Sequence, residues 1–418
     1  MLIKKHNGLY IKQMKKLVIS LAFVGFFVSC STKQDKANQA RLDSLAVQDS
    51  IAKADSIKRI MAIPKGDARL DFTARFIAGL PQNDVNSFSA AEKDHSWKAF
   101  TASMDTAWSR MDRERLSKIK RWESSTFSKS VNGSLNLFYP FSGPDFLHAY
   151  YLYPRAKVYV LVALEPIVEV QAMDSLPARD REEFLDSLGH SLRDIFNKSY
   201  FITNHMQKDL KQVKGVLPPL YFFIERAGFE LIDQKFITLD KEGNEKEVKA
   251  KQLNWQRNPG VKLTLRQRET NEIKTVYYFS ISISNGGLKD RPEFEKFVMA
   301  HAPINTFVKS ASYLMHISAF TMIRDMILKN TQSLFQDDTG IPYRDFKKRL
   351  DLSWQFYGEY TKPVKDFGDE KFQPDLDSAY KVSKKNQGLP FNLGYHWGSK
   401  KVNYMLVKKS GPGLRADK

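Results

Sequence analysis

Between residues 90 and 122 the side chains Trp97, Phe100, Met104, Trp108, Met111, Ile119 and Trp122 recur at helical intervals. That is the repeat of one helix face, so the spacing predicts an amphipathic helix whose aromatic stripe packs into a core. A strand is expected at 134–141, a turn at Ser142-Gly143-Pro144-Asp145, and a short helix at 146–153 stopped by Pro154. An apolar, β-branched run at 157–164 reads as a buried strand closed by Glu165-Pro166. Strand, helix and strand in this order form a βαβ unit, which requires parallel strands. Phe184, Leu185, Leu188, Leu192, Ile195 and Phe196 then mark a second long helix. Asp180, Glu182 and Glu183 stand in its first turn, where the helix dipole favours negative charge.

The repeat changes after residue 228. Segments 229–239, 247–255, 261–268 and 275–284 read as strands, the last two alternating apolar with polar positions. A period of two implies one wet face, as in an antiparallel meander, turned at Glu242-Gly243-Asn244 and Asn285-Gly286-Gly287. A helix with Tyr313, Ile317, Phe320, Ile323 and Ile327 on one face follows, then a strand near 333–335. Further strands are expected toward the C-terminus, including a hairpin of 393–397 with 402–407 turned at Gly398-Ser399. The expected fold is α/β or α+β. It has a mixed sheet with a βαβ unit near 134–165, an antiparallel meander near 229–284 and flanking helices.

The N-terminus has a different character. Met14-Lys15-Lys16 precedes an apolar run, Leu17 to Val28, and then Ser29-Cys30. The run is shorter than the roughly 20 residues a membrane span needs and has the layout of a secretory signal. Phe27-Val28-Ser29-Cys30 resembles a bacterial lipobox. That resemblance implies cleavage before Cys30 and acylation of its thiol, so residues 1–29 read as a lipoprotein signal peptide. Two or three acyl chains anchor a protein stably where one does not. The sequence offers two start codons, Met1 and Met14. Residues 30–66 read as a polar tether, with Asp43-Ser44, Asp49-Ser50 and Asp55-Ser56 recurring every six residues and Pro64-Lys65-Gly66 ending it. Residues 67–418 read as a single large globular domain, or as two tightly packed subdomains, 67–228 and 229–418. Ser31 after the cysteine, rather than Asp, points to an outer-membrane lipoprotein. The mixed sequence Thr32 to Lys36 favours its periplasmic face over the cell surface.

Composition sharpens this picture. The chain has 418 residues, 42% hydrophobic and 12% aromatic, too apolar for a disordered protein. Its one cysteine excludes an internal disulfide framework and multi-cysteine metal centres. The charge of +18 includes five lysines and no acid in residues 1–29, leaving 60 basic against 47 acidic side chains, or +13. Of that, +7 falls in residues 344–418. Expected partners are the bilayer, through acylated Cys30, and anionic lipid or glycan groups. Nucleic acid is not expected in the envelope.

The chain has no Gly-x-Ser-x-Gly elbow, Walker A loop, His-Glu-x-x-His or EF-hand loop, and its histidines are scattered. Three loops remain as candidates, each after a predicted strand. In the first, Ser142 and Gly143 are candidate ligand contacts and Asp145 is either a helix cap or a catalytic carboxylate. Glu165 ends the next strand, where a dinucleotide fold places its ribose-binding acid, but the glycine fingerprint is missing. The third holds Asp337 and Asp338, candidates for acid–base work or a divalent cation, with Thr339 and Gly340 as ligand contacts. An Asx turn closed by Gly340 is the structural alternative. Parallel strands in one sheet would bring all three loops to its C-terminal edge. The residues assign no cofactor. A non-enzymatic binding or envelope-maintenance role is the first reading, and a hydrolase- or transferase-like enzyme using the acidic loops is the other.

Tyr139-Pro140-Phe141-Ser142-Gly143-Pro144-Asp145, Leu164-Glu165-Pro166 and Gln336-Asp337-Asp338-Thr339-Gly340-Ile341-Pro342-Tyr343-Arg344 resemble an uncharacterised family of Bacteroidota-type secreted proteins and lipoproteins. The resemblance covers roughly 85–410. It implies one folded unit and carries over no reaction and no catalytic residue.

Overall fold

The computed structural model describes residues 66–82, 84–201, 213–347, 349–364, 367–383, 386–398 and 402–409. The signal sequence, Cys30, the tether and Ser399 lie outside them. The body, Lys65–Lys418, is one compact unit.

Ten strands form one sheet: β1 (Asn136–Pro140), β2 (Val158–Ala163), β3 (Phe229–Leu239), β4 (Glu245–Glu247), β5 (Gly260–Gln267), β6 (Ile273–Ser280), β7 (Ile304–Val308), β8 (Thr331–Gln336), β9 (Leu352–Gly358) and β10 (Asn403–Lys409). Their spatial order is β4-β3-β5-β6-β2-β1-β7-β8-β10-β9. The five central strands, β6-β2-β1-β7-β8, are parallel. Antiparallel strands extend both flanks. This is an α/β fold.

Helices cover both faces. Those preceding β3 are α1 (Ala68–Ile77), α2 (His95–Met111), α3 (Ser117–Ser125), α4 (Phe146–Leu152), α5 (Ala178–Lys198) and α6 (Leu217–Arg226). Their apolar faces pack with Leu137, Tyr139, Tyr159, Leu161 and Phe307. Those following β6 are α7 (Asn285–Asp290), α8 (Pro292–Ala300), α9 (Thr321–Asn330), α10 (Tyr343–Phe346) and α11 (Pro374–Val382). They cover Phe138, Val160, Val162 and Val308 on the opposite face. Successive residues of β1 and β2 therefore feed two different cores, which is why these strands are apolar throughout.

The crossovers define where a ligand can sit. From β1 the chain passes through α4 to β2 on one side. From β7 it passes through α9, on the opposite face, to β8 on the other side. β1 and β7 are neighbours, so their C-terminal ends splay apart at a topological switch point, the usual ligand crevice of an open α/β sheet.

Four local expectations are corrected. The segment 247–255 is not a strand. β4 ends at Glu247, and 250–255 is a 3-10 turn whose one buried side chain is Leu253. β6 stops at Ser280, and Asn285-Gly286-Gly287 opens α7 rather than a turn, because the Ser284 hydroxyl accepts the Gly287 N–H at 3.2 Å. The helix expected from Tyr313 begins only at Thr321. Ser312 and Tyr313 adopt left-handed backbone, and two 3-10 turns precede the helix. β10 pairs with β8 and β9, not with 393–397, where a 3-10 turn spans Gly394–His396.

Candidate functional site

A cavity of about 450 Å³ opens at the switch point. The loops after β1, β2 and β7 build it. Ser142, Gly143 and Asp145 come from the first, with Tyr139 at the end of β1 beneath them, Glu165 from the second, and Lys309, Ser310 and Ser312 from the third. Phe141, Tyr200, Phe201, Phe367 and Tyr395 supply aromatic walls. Tyr200 meets Tyr395 edge to face at 4.6 Å, and Phe367 lies 5.1 Å from Tyr395.

The floor is a buried ionic cluster. Asp145 is the N-cap of α4, its carboxylate accepting the His148 N–H at 3.1 Å. The same carboxylate takes the Lys309 ammonium at 2.8 Å, the His148 Nδ1 at 2.9 Å and the Tyr139 hydroxyl at 3.0 Å. Burial alone would raise the Asp145 carboxyl, but His148 and Lys309 overcome that and hold it well below the usual range. Burial lowers His148 to about 4, against the pull of Asp145, so the imidazole is neutral at pH 7. Burial also lowers Lys309, opposed by Asp145.

Lys309 and Arg115 also close the end of α5. The helix stops at Ser199, in left-handed conformation, leaving carbonyls without helical partners. Lys309 donates to the Ser199 carbonyl and Arg115 to that of Ile195 at 3.1 Å. Cations there also meet the negative end of the helix dipole.

Behind the cavity, the Asp337 carboxylate accepts the Ser310 N–H at 2.8 Å and the Thr339 N–H at 3.1 Å, the second being an Asx turn. The Thr339 hydroxyl oxygen accepts the Ala311 N–H at 2.7 Å. Burial, reinforced by Asp338, raises the Asp337 carboxyl. Asp338 points elsewhere, accepting the Tyr313 hydroxyl at 2.7 Å with His396 at 3.6 Å. Gly394, at φ +76°, closes over Asp337, since a Cβ there would stand 2.9 Å from its carboxylate and 3.3 Å from the Ser310 hydroxyl. Of the seven described non-glycine residues with positive φ, five belong to the loops around this site: Phe141, Ser199, Ser310, Ser312 and Tyr313. Backbone held in such conformations concentrates at functional sites.

The structure thus brings Asp145 and Glu165 to one cavity. Ser142 and Gly143 also line it, though the Ser142 hydroxyl is occupied by the Val162 N–H at 3.1 Å. The Glu165 carboxylate is half-buried and accepts the Tyr278 hydroxyl at 2.9 Å; burial raises it. Asp337, Asp338, Thr339 and Gly340 do not line the cavity. They brace the loop after β7 and one another, with Gly340 donating to the Asp337 carbonyl at 3.1 Å. The two adjacent carboxylates turn apart, as alternation at a strand end dictates. Among the described residues no group of three or more His, Cys, Asp or Glu could hold a metal ion.

Sequence reasoning missed Lys309, Ser310, Tyr395 and His148. β7 is five residues long, all buried, and carries no alternation to mark it. The available cue was the small-residue run Ser310-Ala311-Ser312 just after Lys309, which lies in the loop and not in the strand. Compared with models of known families, with curated proteins and with solved structures, the chain matches none.

Proposed function

We propose that this protein is a lipid-anchored binding protein of the outer membrane, facing the periplasm, whose switch-point cavity takes up a small molecule. The observation that carries the reading is the cavity itself. It combines aromatic walls, a few convergent polar groups and a buried ionic floor at the place where α/β sheets hold ligands. The acidic pair at 337–338 supports binding over cation-dependent hydrolysis, because neither residue lines the cavity and each accepts a protein donor, Asp337 the Ser310 N–H and Asp338 the Tyr313 hydroxyl. The envelope location rests on the Cys30 signal.

Soaking crystals with a fragment cocktail tests the binding reading. Fragments should collect between Lys309 and Tyr395, and occupancy only elsewhere on the molecule would overturn it. Palmitate labelling tests the anchor. The label should disappear in Cys30→Ser, and a labelled mutant would remove the basis for the membrane location.

A further inference from the structure

We propose that the ligand of this cavity is a neutral, hydroxyl-rich ring, a mono- or disaccharide. The inference rests on the binding reading above and adds the chemical class of the ligand. Three observations converge on it.

The first is charge. Among the described residues, Lys309, Asp145 and Glu165 are the ionisable acids and cations that line the cavity. Lys309 and Asp145 neutralise each other at 2.8 Å, and the ammonium also donates to the Ser199 carbonyl. Little of its charge is left for an anion, which would also face the carboxylates. Glu165 is tied to the Tyr278 hydroxyl, and burial favours its uncharged form, so a cation finds a poor partner there.

The second is the walls. Phe141, Tyr200, Phe201, Phe367 and Tyr395 offer apolar rings without enclosing the space completely. A sugar ring has apolar C–H faces that suit the electron-rich faces of aromatic rings, and hydroxyls at its rim for polar groups. The volume of about 450 Å³ lies in the lower part of the range for small-molecule sites.

The third is an unmet hydrogen bond. The Ser310 hydroxyl is buried and has no partner among the described residues, although its residue lines the cavity. A buried hydroxyl left unpaired is costly, and a sugar hydroxyl would satisfy it. Its backbone is fixed independently, by the Asp337 carboxylate on its N–H and the Tyr395 hydroxyl on its carbonyl at 3.0 Å. The hydroxyl itself stands 3.3 Å from where a Cβ on Gly394 would be, so a turn about its Cα–Cβ bond brings it to a ligand without moving the backbone.

Calorimetric titration of the full chain with glucose, N-acetylglucosamine, maltose and chitobiose, beside sodium phosphate and choline chloride, tests the proposal. At least one sugar should bind saturably and neither salt should. Ser310→Ala removes no internal hydrogen bond, so it should fold normally and bind that sugar about five- to tenfold more weakly, the worth of one neutral hydrogen bond. Ser312→Trp, which fills the cavity, should abolish binding. Phosphate or choline binding that Ser312→Trp removes, with no sugar bound, would overturn the ligand class and leave the cavity reading standing. Sugar binding unchanged in both variants would place it elsewhere and overturn the proposal. Silence from all six compounds would also overturn it, while fragment occupancy in the crystal would decide separately whether the cavity binds anything.

Discussion

Asp145 shows how one residue serves the helix, the core and the cavity at once. It caps α4, anchors the ring of His148, and holds Lys309 beneath the ligand space. With Nδ1 of His148 donating to that carboxylate, Nε2 is a bare acceptor, and it is buried without a partner among the described residues. Both members of the Asp145–Lys309 pair are almost wholly buried, so removing one strands the other charge in a low-dielectric interior. Lys309→Met should therefore cost about 3–5 kcal/mol in urea unfolding. Adding Asp145→Asn should recover part of that loss, and strictly additive costs would show that the two do not act as a pair. Two other positions contribute to the pH dependence of stability with opposite signs. His148 falls from an ordinary 6.5 to about 4, so the native state binds fewer protons than the unfolded chain between those values. Stability then rises with pH across that window and is lost on acidification from about 6.5 to 4, by about 3 kcal/mol for this one group. Glu225 has the opposite sign. Burial and the neighbouring Asp71 hold its carboxyl well above the ordinary 4.5, against the pull of Arg268, which reaches both acids at 2.8 Å. The native state keeps a proton that the unfolded chain releases above about 4.5, so Glu225 makes stability fall as pH rises. Glu225→Gln should flatten that alkaline limb and gain on wild type as pH rises above about 4.5. An unchanged slope in a pH series of urea midpoints would refute the assignment.

Elements whose own residues carry their signal were legible in the sequence. β3, expected at 229–239, spans Phe229–Leu239, and the 184–196 stripe lies within α5. β1, β2 and α4 fall within a residue or two of expectation, because Pro154 and Glu165-Pro166 punctuate them. Elements fixed by partners from elsewhere were not. β7 is a strand because β1 and β8 bracket it in the sheet. The helix read from Tyr313 fails for a related reason. Tyr313 is tied to Asp338, and Asn285 holds the start of α9 by accepting the Met322 N–H at 2.9 Å. The apolar spacing was real, but tertiary hydrogen bonds chose where helix could begin. The site divides in the same way. Its carboxylates stood out as residues after strands. The cation that neutralises Asp145 and the serine that lines the cavity sit on the loop directly after β7, a strand with no local signature.

At the scale of the whole body, the sheet makes its two halves depend on each other. Among the described residues, those before 229 contribute only β1 and β2 to the sheet, and these occupy its middle. Their outer neighbours, β6 and β7, come from beyond residue 229. A fragment 67–228 would leave a two-stranded parallel ribbon with both edges open and its second face, Phe138, Val160 and Val162, bare of α7–α11. Isolated two-stranded sheets are marginal at best, and unpaired backbone at an apolar edge invites aggregation. A fragment 229–418 would keep β3–β6 and β7–β10 as two sheets with the two central strands missing between them. Neither fragment should fold alone, by near-ultraviolet circular dichroism or amide dispersion in nuclear magnetic resonance. The cavity should follow the same rule, since Asp145 comes from the first part and Lys309 from the second, 2.8 Å away. A cooperative melt from either fragment would mean that one half stabilises its sheet without the other, and the switch point would then be a junction between two folding units.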